Sequence, residues 1–288
     1  MPNIAAEEAD GDIVTSYSPY ALNFDSASGD YIDCGNDSSL EITGNFTISA
    51  WVNITSSGYY PRLLGKSNTS NNRCNYGIGF YQNKPAVIGN SNGTWIAHYN
   101  STALSTGVWH HIVGVYNGTN FLLYANGSLD TTNSASGFNV ATAASETSGQ
   151  HLYIAASTSN AFNFNGSISN ASIWNAALTS SQVTELYSEG VPQNLLNHSA
   201  ASSLVSWWQL GSNSSFNTNW TVLDEKGSNN GISANMTEAD IVDGVGSYAN
   251  GTSSGMGGDE VVGSAFGSSA ISLSINMDVL DRTEDTPS

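Results

Sequence analysis

Basic residues are scarce in this chain of 288 residues, where 6 Lys and Arg side chains stand against 24 Asp and Glu, for a formal net charge of -18. Nucleic acids are bound mainly through clustered cations at the phosphates, so binding to DNA or RNA is not expected. An anionic membrane surface is disfavoured for the same reason. The excess of acidic side chains favours solubility instead.

Long apolar runs are also missing, because no stretch approaches the roughly 18 to 20 apolar residues of a membrane-spanning helix. No membrane insertion is therefore expected. The opening residues, MPNIAAEEADGDIV, have neither the basic start nor the apolar core of a secretory signal peptide. We expect either a mature chain or one that reaches its place without such a signal, as a virion protein released by lysis would. The predicted location is a virion or an extracellular surface.

Cysteine is limited to Cys34 and Cys74. The favoured interpretation is two buried thiols in separate strands, since unpaired cysteine is among the most buried residue types. A disulfide between the two residues stays open, because sequence alone does not decide it. Two cysteines and scattered histidines do not form a zinc-binding pattern.

Short β-type runs separated by Gly, Asn, Ser and Asp fill residues 20–174. Many short strands at this spacing predict an all-β fold, an antiparallel jelly-roll β-sandwich. In FTISAWV the alternation places Phe46, Ile48, Ala50 and Val52 on one face and Thr47, Ser49 and Trp51 on the other. The predicted strands are ALNF, YIDCG, FTISAWVNI, RLLGK, YGIGFY, AVIGN, WIAHY, HHIVGVY, FLLYA, LYIAAS and ISNASIW.

One short helix is predicted in LTSSQVTELYSEG, residues 178–190. Thr179 or Ser180 would cap its start, and Gly190 would cap its end. Its apolar face would contain Val183, Leu186 and Tyr187.

Two adjacent histidines, His110 and His111, lie in one predicted strand. Neighbouring side chains on a strand point to opposite faces, so the two cannot serve one site. We expect one to pack beneath the sheet with a hydrogen bond and the other to face solvent or a neighbouring strand.

Three segments together resemble a laminin G-like domain of the concanavalin A-like lectin/glucanase group. They are LNFDSASGDYIDCGNDSSLEITGNFTISAWV (22–52), WHHIVGVYNGTNFLLYANG (109–127) and FNGSISNASIWNAALTSSQVTELYSEG (164–190). The resemblance implies a jelly roll over residues 20–190. In this family a W-x-L…D-x-x-G-x-x-x-G segment commonly precedes the Phe-Asp strand, whereas here its likeness, SWWQLG…LDEKGSNNG (206–231), follows the closing helix. Chains with this order also resemble, more loosely, structural proteins of marine bacterial viruses.

This departure leaves two interpretations of the C-terminal part open. The late segment either begins a second, reduced domain or packs back on the first sandwich, and a small accessory region with β structure of its own is favoured. The predicted organisation is an N-terminal extension (1–19), the jelly roll (20–190), a linker (191–203), an accessory β segment (204–245), and a Gly/Ser-rich connector with a terminal acidic β segment (246–288). Residues 231–244 and 271–286 resemble each other in sequence. Two explanations stay open: either they are matching short segments that dock equivalently, or the likeness is a coincidence.

A glycosidase active site is not expected. Jelly-roll glycosidases of this group place two carboxylates on one strand, typically as E-x-D-x-x-E, and retaining hydrolysis needs the pair about 5–5.5 Å apart. No such motif occurs in residues 20–190, where the glutamates are Glu41 near a strand start, Glu146 in a predicted loop, and Glu185 and Glu189 on the predicted helix. Glycoside hydrolysis is therefore only a remote third alternative.

Binding residues are more plausible than catalytic ones. Sugars stack their C–H faces on exposed aromatic rings, and the candidates are Tyr59, Tyr60, Trp95, Tyr99 and Phe162, with Phe164 assigned to the core. Asp25 and Asp30, with loop carbonyl oxygens, could hold the calcium ion that the resemblance implies, or they could only cap a turn.

The predicted function is non-catalytic: a structural and recognition protein displayed on a surface as a virion appendage or decoration, binding a glycan or host cell surface. Other virion or surface structural proteins are expected partners, and a homo-oligomer is expected. The alternative is a purely structural assembly subunit without a glycan site, which docks through residues 231–288.

Overall fold

The computed structural model describes residues 18–245 except 57, 59, 68–73, 92–93, 98–100, 148–149 and 158–161, and also describes 260–262 and 272–274. The strands up to the first helix are β1 (Tyr20–Phe24), β2 (Tyr31–Asp33), β3 (Phe46–Ser56), β4 (Arg62–Ser67), β5 (Cys74–Tyr81), β6 (Lys84–Ser91), β7 (Thr94–Ala97), β8 (Trp109–Tyr116), β9 (Asn120–Ala125) and β10 (Ser128–Ser134). Helix α1 (Val140–Thr147) and helix α2 (Ser180–Tyr187) flank β11 (Leu152–Ile154) and β12 (Asn165–Trp174).

The remaining strands come from the C-terminal part of the chain. They are β13 (Leu204–Trp208), β14 (Ser214–Asn217), β15 (Asn219–Val222), β16 (Gly231–Ala234), β17 (Ile241–Asp243), β18 (Glu260–Val262) and β19 (Ser272–Ser274). Short 3₁₀ turns cover Ser38–Leu40, Ser188–Gly190, Leu195–Asn197, Ala201–Ser203 and Glu238–Asp240. Each predicted strand run contains a strand, so the all-β prediction is confirmed.

Two antiparallel sheets form the sandwich. The first has the order β10-β9-β8-β3-β12-β1-β17, with β13 also paired to β12, and the second has the order β14-β15-β16-β2-β11-β4-β5-β6-β7. β1 and β13 lie end to end along β12, opposite residues 166–168 and 171–174 respectively. Strands β18 and β19 pair with each other.

The alternation predicted for β3 is confirmed. Phe46, Ile48, Ala50 and Val52 are fully buried members of the main core between the sheets. The opposite face is covered as well, because Thr47 accepts a hydrogen bond from Leu178 N at 3.0 Å and donates one to Ala176 O at 2.8 Å. A second apolar cluster beneath α2 contains Trp174, Val183, Leu186 and Trp207. On β3, the alternation of apolar and polar side chains therefore indicates which part of the molecule each face of the strand contacts. It does not indicate which face is exposed to solvent.

Helix α2 begins as predicted and ends earlier than predicted. Thr179 caps its start in a capping box with Gln182. Its end is capped by Ser188, in the left-handed region with φ 44°, so the assignment of the cap to Gly190 is wrong. Gly190 instead closes the 3₁₀ turn that follows.

The expectation of an accessory region with its own β structure is wrong for residues 204–243. β13 pairs with β12, β16 with β2, and β17 with β1, so this segment completes both sheets. The physical reason is burial, because Trp208 and Trp220 belong to the main core and Trp207 to the cluster beneath α2. The second interpretation, that the segment packs back on the sandwich, describes the molecule.

Asp224 organises the segment of residues 206–231. Its contacts explain why an acidic residue and two glycines occur at their positions in LDEKGSNNG. Its carboxylate accepts hydrogen bonds from the backbone N–H groups of Trp207, Lys226, Gly227 and Asn229 at 3.0–3.1 Å. A Cβ on Gly227 would lie 2.7 Å from Asp224 Oδ2, and a Cβ on Gly231 would lie 2.3 Å from Ile32 Cγ2. Both glycines are therefore required by close approach.

Helix α1 and strand β10 were not predicted. Alanine-rich sequence and Asn139, whose Oδ1 accepts a hydrogen bond from Thr142 N at 3.0 Å, stabilise α1. Glu146 lies in this helix, so its assignment to a loop is wrong. β10 is an edge strand, SLDTTNS, with no buried residue and thus no hydrophobic alternation to detect.

Candidate functional site at the rim of the sandwich

Three connections cross from one sheet to the other at the same end of the sandwich. They join β1 to β2, β3 to β4, and β11 to β12. The turn between β5 and β6 lies at this end too, since Tyr81 pairs with Lys84 there. We call the described residues of these connections the rim (25–30, 60–62, 81–84 and 162–165). The rim contains Tyr60, Phe162, Asp25 and Asp30 of the predicted site residues.

Two tyrosines form an aromatic platform on the rim. The rings of Tyr60 and Tyr81 are stacked, with centroids 5.1 Å apart and planes 24° apart. Tyr60 is 37% exposed and Tyr81 is half-buried. The exposure predicted for Tyr60 is thus confirmed, while Tyr81 was not predicted, because its pairing with Tyr60 spans two strands that only the fold brings together.

Arg62 connects the two aromatic loops of the rim. Its Nη1 donates to Tyr60 O at 2.8 Å, and its backbone N–H donates to Phe162 O at 2.8 Å. Its guanidinium carbon lies 5.2 Å from the centre of the Phe162 ring, a cation–π contact. Arg62 is only 3% exposed, so its charge is placed for structure and not for direct contact with a ligand.

Tyr60 and Phe162 both have unusual backbone conformations. Their φ angles are 62° and 58°, in the left-handed region that a bulky side chain occupies at a cost of about 1–3 kcal/mol. The carbonyl of each residue is hydrogen-bonded by Arg62, which offsets this strain. Strain of this kind concentrates at binding sites, where it presents a side chain in one fixed orientation.

The acidic loop of the rim is built around Asp30. This residue is 2% exposed, its Oδ2 accepts a hydrogen bond from Asp25 N at 2.9 Å, and its Oδ1 has no hydrogen-bond partner among the described residues. Burial raises the pKa of Asp30 to about 6, and the negative charges of Asp240 and Asp25 raise it further. The hydrogen bond from Asp25 N acts in the opposite direction and lowers the pKa. The carboxylate of Asp25 caps its own turn through Ala27 N and the Ser28 hydroxyl.

Residues 162–163 join the aromatic and acidic parts of the rim. Phe162 contacts Arg62, and the next residue, Asn163, donates from Nδ2 to Asp30 O at 3.3 Å. From the other side, Asn235 Nδ2 donates to Gly29 O at 2.8 Å. Aromatic rings and a buried carboxylate therefore share one scaffold.

The other predicted ligand-binding residues lie outside what can be described. Tyr59 and Tyr99 are outside the described residues, and Trp95 lies in β7 with its side chain outside them. Phe164 is fully buried and stacks on Phe80, with ring centroids 5.9 Å apart, as expected for a core residue.

The two histidines occupy different surroundings, and the prediction that one packs beneath the sheet is confirmed for His111. The prediction that the other faces solvent or a neighbouring strand is wrong, because His110 is buried against a loop. His111 Nε2 lies 2.8 Å from Ser49 Oγ, and its ring stacks near Trp51 and Tyr187 beneath α2. Burial lowers its pKa to about 3. His110 faces Ser105, with its Nε2 3.1 Å from Ser105 O. Cys34 is a buried thiol in no disulfide, and burial raises its pKa well above the ordinary value.

A cleft outside the rim is less suited to binding a sugar. A cleft of about 710 Å³ lies between the β9–β10 turn and the end of α2, and is lined by Glu185, Glu189, Tyr187 and Gly127 among others. Tyr187 stacks on Trp51 with centroids 5.6 Å apart, and Gly127 is so close that a Cβ there would lie 2.8 Å from the ring. Trp51 and Gly127 thus both lie against Tyr187, which leaves less of its ring open to a ligand.

The face of the second sheet carries an aromatic cluster that was not predicted either. Tyr31 and Tyr153 meet edge to face with centroids 5.7 Å apart, and His151 Nδ1 lies 2.7 Å from Asp33 Oδ1. Tyr153 is only 6% exposed, so this cluster presents less open ring surface than Tyr60 and Tyr81 do.

The chain belongs to the concanavalin A-like lectin/glucanases superfamily, whose laminin G-type family matches residues 25–184. One similar solved structure is a candidate carbohydrate-binding protein from Bacteroides ovatus, with a TM-score of 0.56 and 15% identity over 78% of this chain and 60% of that one. The chain thus spans less than two thirds of that protein. The CBM40 domain of the Ruminococcus gnavus IT-sialidase, solved bound to α2,3-sialyllactose, has a TM-score of 0.45 and 15% identity over 58% of this chain and 96% of that one. No curated protein is significantly similar in sequence.

Among the described residues, no helix is both long and apolar enough to cross a membrane. No group of three or more His, Cys, Asp or Glu side chains in the same part of the chain is arranged to hold a metal ion.

Proposed function

We propose that this protein is a non-catalytic glycan-recognition module that binds sugar at the rim. The observation that carries the proposal is the stacked Tyr60–Tyr81 pair, in which the backbone carbonyl of Tyr60 is hydrogen-bonded by the buried Arg62. An aromatic ring offers its face to the C–H groups of a pyranose, and its hydroxyl offers a hydrogen bond. Because the hydrogen bond from Arg62 holds the backbone at Tyr60, less ordering entropy is lost there when a ligand binds.

The absence of catalysis is part of the same proposal. Glu41 lies 3.2 Å from Lys66 Nζ, and Glu185 accepts hydrogen bonds from Ser199 N and Oγ. Glu189 is exposed in the 3₁₀ turn that follows α2. These placements give no support to a pair of carboxylates facing one sugar, which hydrolysis needs.

Calcium is proposed as the cofactor of the rim, with Asp30 as its central ligand and Asp25 beside it. Support comes from Asp30 Oδ1, a buried carboxylate oxygen with no hydrogen-bond partner among the described residues, in an environment made more negative by Asp25 and Asp240. Calcium prefers such oxygen donors and completes its shell with carbonyl oxygens and water. The ion would supply positive charge to sugar hydroxyl groups near the tyrosines.

We propose surface display as the context, on a virion appendage or another extracellular surface, as part of a homo-oligomer with further structural partners. The net charge of -18 keeps such a protein soluble, and the loose likeness to structural proteins of marine bacterial viruses supports the virion in particular. The ligand would then be a host or environmental glycan.

The test is binding of the full chain to an array of defined glycans, once with calcium and once with EDTA. Binding that EDTA weakens is the expected result. An array on which nothing binds in either buffer would contradict glycan recognition, and equal binding in both buffers would contradict the calcium proposal alone. Release of reducing sugar from a bound glycan would contradict the non-catalytic assignment.

A further inference from the structure

Far from the rim, the opposite end of β4 and β5 contains a buried lysine. Lys66 is 0% exposed, which is rare for lysine, and its Nζ lies 3.2 Å from Glu41 Oε1. Beyond this ion pair, Nζ has no hydrogen-bond partner among the described residues. Burying an ion pair is seldom worth its desolvation cost, so Lys66 requires an explanation beyond stability.

A buried asparagine lies beside this lysine. Lys66 pairs with Tyr76 and Ser67 with Cys74, so the intervening Asn75 is the extra residue of a β-bulge, next to the residue that pairs with the lysine. Asn75 is 0% exposed, and its Oδ1 also has no hydrogen-bond partner among the described residues. Adjacent strands lie only about 4.8 Å apart, a gap that a lysine side chain spans.

Both side chains lie against the same short segment. Lys66 contacts Glu41, Asn75 Nδ2 donates to Ile42 O at 3.0 Å, and Tyr76 OH donates to Leu40 O at 3.1 Å. An amine, a carboxamide and a carboxylate therefore all lie at residues 40–42, beside Tyr76, whose ring centroid is 5.7 Å from that of Phe46.

We propose that Lys66 and Asn75 form an intramolecular isopeptide bond, with Glu41 transferring protons. Glu41 takes a proton from the Lys66 ammonium, which a site of low dielectric favours because two charges become two neutral groups. The neutral amine attacks Asn75 Cγ, the Nζ–Cγ bond forms, and the Cγ–Nδ2 bond breaks. Protons from Glu41 and from the attacking nitrogen leave with Nδ2, so that ammonium is released and the Glu41 carboxylate is regenerated. No oxidant or other reactant is needed.

The bond would fasten β4 to β5 across residues 66–75. It would also remove one positive charge from the buried pair, and the new amide N–H could donate to Glu41. Such a covalent link fits a module that must hold its strands together under pulling or proteolysis, and it does not depend on what the rim binds.

Intact-mass spectrometry of the denatured full chain tests the proposal. The wild-type mass is expected to be lower than the sequence mass by one ammonia, and trypsin is expected to yield a branched peptide that joins Lys66 to Asn75. Lys66→Arg, Asn75→Ala and Glu41→Gln chains are expected at their full sequence masses, whereas the exposed-lysine control Lys226→Arg keeps the deficit. A wild-type chain at its full sequence mass overturns the proposal without reference to any variant. A deficit that persists in Lys66→Arg also overturns it, because a cyclised asparagine would then account for the mass.

Discussion

The indole N–H of Trp208 donates a hydrogen bond to Asn229 O at 2.7 Å, between two stretches of the chain that the sequence suggests to be separate from the jelly roll. Trp208 is fully buried in the main core, and Asn229 Nδ2 donates a hydrogen bond at 3.0 Å to the hydroxyl of Ser39, in the turn between β2 and β3. Residues 204–243 are therefore part of the sandwich.

Truncation tests this integration. A chain that ends at residue 203 is expected to lose cooperative folding, because β2, β12 and β1 lose partner strands and the core loses Trp208 and Trp220. A chain that ends at residue 245 is the matched control and is expected to unfold in one sharp transition. Urea unfolding followed by far-ultraviolet circular dichroism compares the two. A sharp transition in the shorter chain would mean that the late strands are dispensable.

Arg62 is expected to matter for binding as well as for stability. Arg62→Met keeps the buried volume but removes the hydrogen bond to Tyr60 O and the charge over Phe162, at a cost of about 1–3 kcal/mol in the free energy of unfolding. We also expect an affinity roughly ten-fold lower for a glycan identified on the array, equivalent to about 1.4 kcal/mol. The surface control Lys226→Met should change neither quantity. Unchanged affinity in folded Arg62→Met would show that the platform does not depend on Arg62.

A substitution at Asp30 distinguishes a calcium-binding role of this residue from a purely structural role in its turn. In EDTA at pH 7, Asp30→Asn is expected to raise the free energy of unfolding by about 1–2 kcal/mol, because a buried carboxylate whose pKa is raised to about 6 is destabilising in its charged form. Added calcium should raise the melting temperature of the wild type and of the control Asp243→Asn, but not that of Asp30→Asn. If added calcium does not change the melting temperature of the wild type, the calcium proposal is contradicted and Asp30 has only a structural role in the turn.

His111 predicts a pH dependence of stability. Its pKa is about 3 in the folded chain because of burial and about 6.5 in the unfolded chain, so only the unfolded chain takes up this proton between those values. Stability is therefore lost as pH falls below about 6.5, with a slope of up to about 1.4 kcal/mol per pH unit. The opposing contribution of Asp30 is common to wild type and variant and cancels in their difference.

Urea unfolding at pH 6, 5 and 4 measures this effect. The wild type is expected to lose more stability than His111→Gln on acidification, whereas the surface control Lys226→Met should follow the wild type. Parallel losses in wild type and His111→Gln would contradict a buried neutral His111.

The parts of the fold that could be predicted are those carried by local patterns. The strand alternation of Phe46 to Val52 and the capping box at Thr179 are encoded within a few residues. The return of β13 and β16 to the sandwich depends on pairings between distant segments, such as Ile232 with Asp33, which no local pattern contains. Likewise, Tyr60 lies between Gly58 and Pro61, a sign of an exposed loop, while Arg62 and Phe162 meet only through folding.

The most direct test of the account is a comparison of three full-length chains on the same glycan array in calcium buffer: wild type, the double variant Tyr60→Ala/Tyr81→Ala, and Tyr20→Ala. Tyr20 is 48% exposed on β1 and serves as the matched surface tyrosine. We predict that wild type and Tyr20→Ala bind the same glycans and that the double variant loses them while keeping the wild-type circular dichroism spectrum. A double variant that binds as strongly as the wild type would contradict the assignment of the rim as the glycan site.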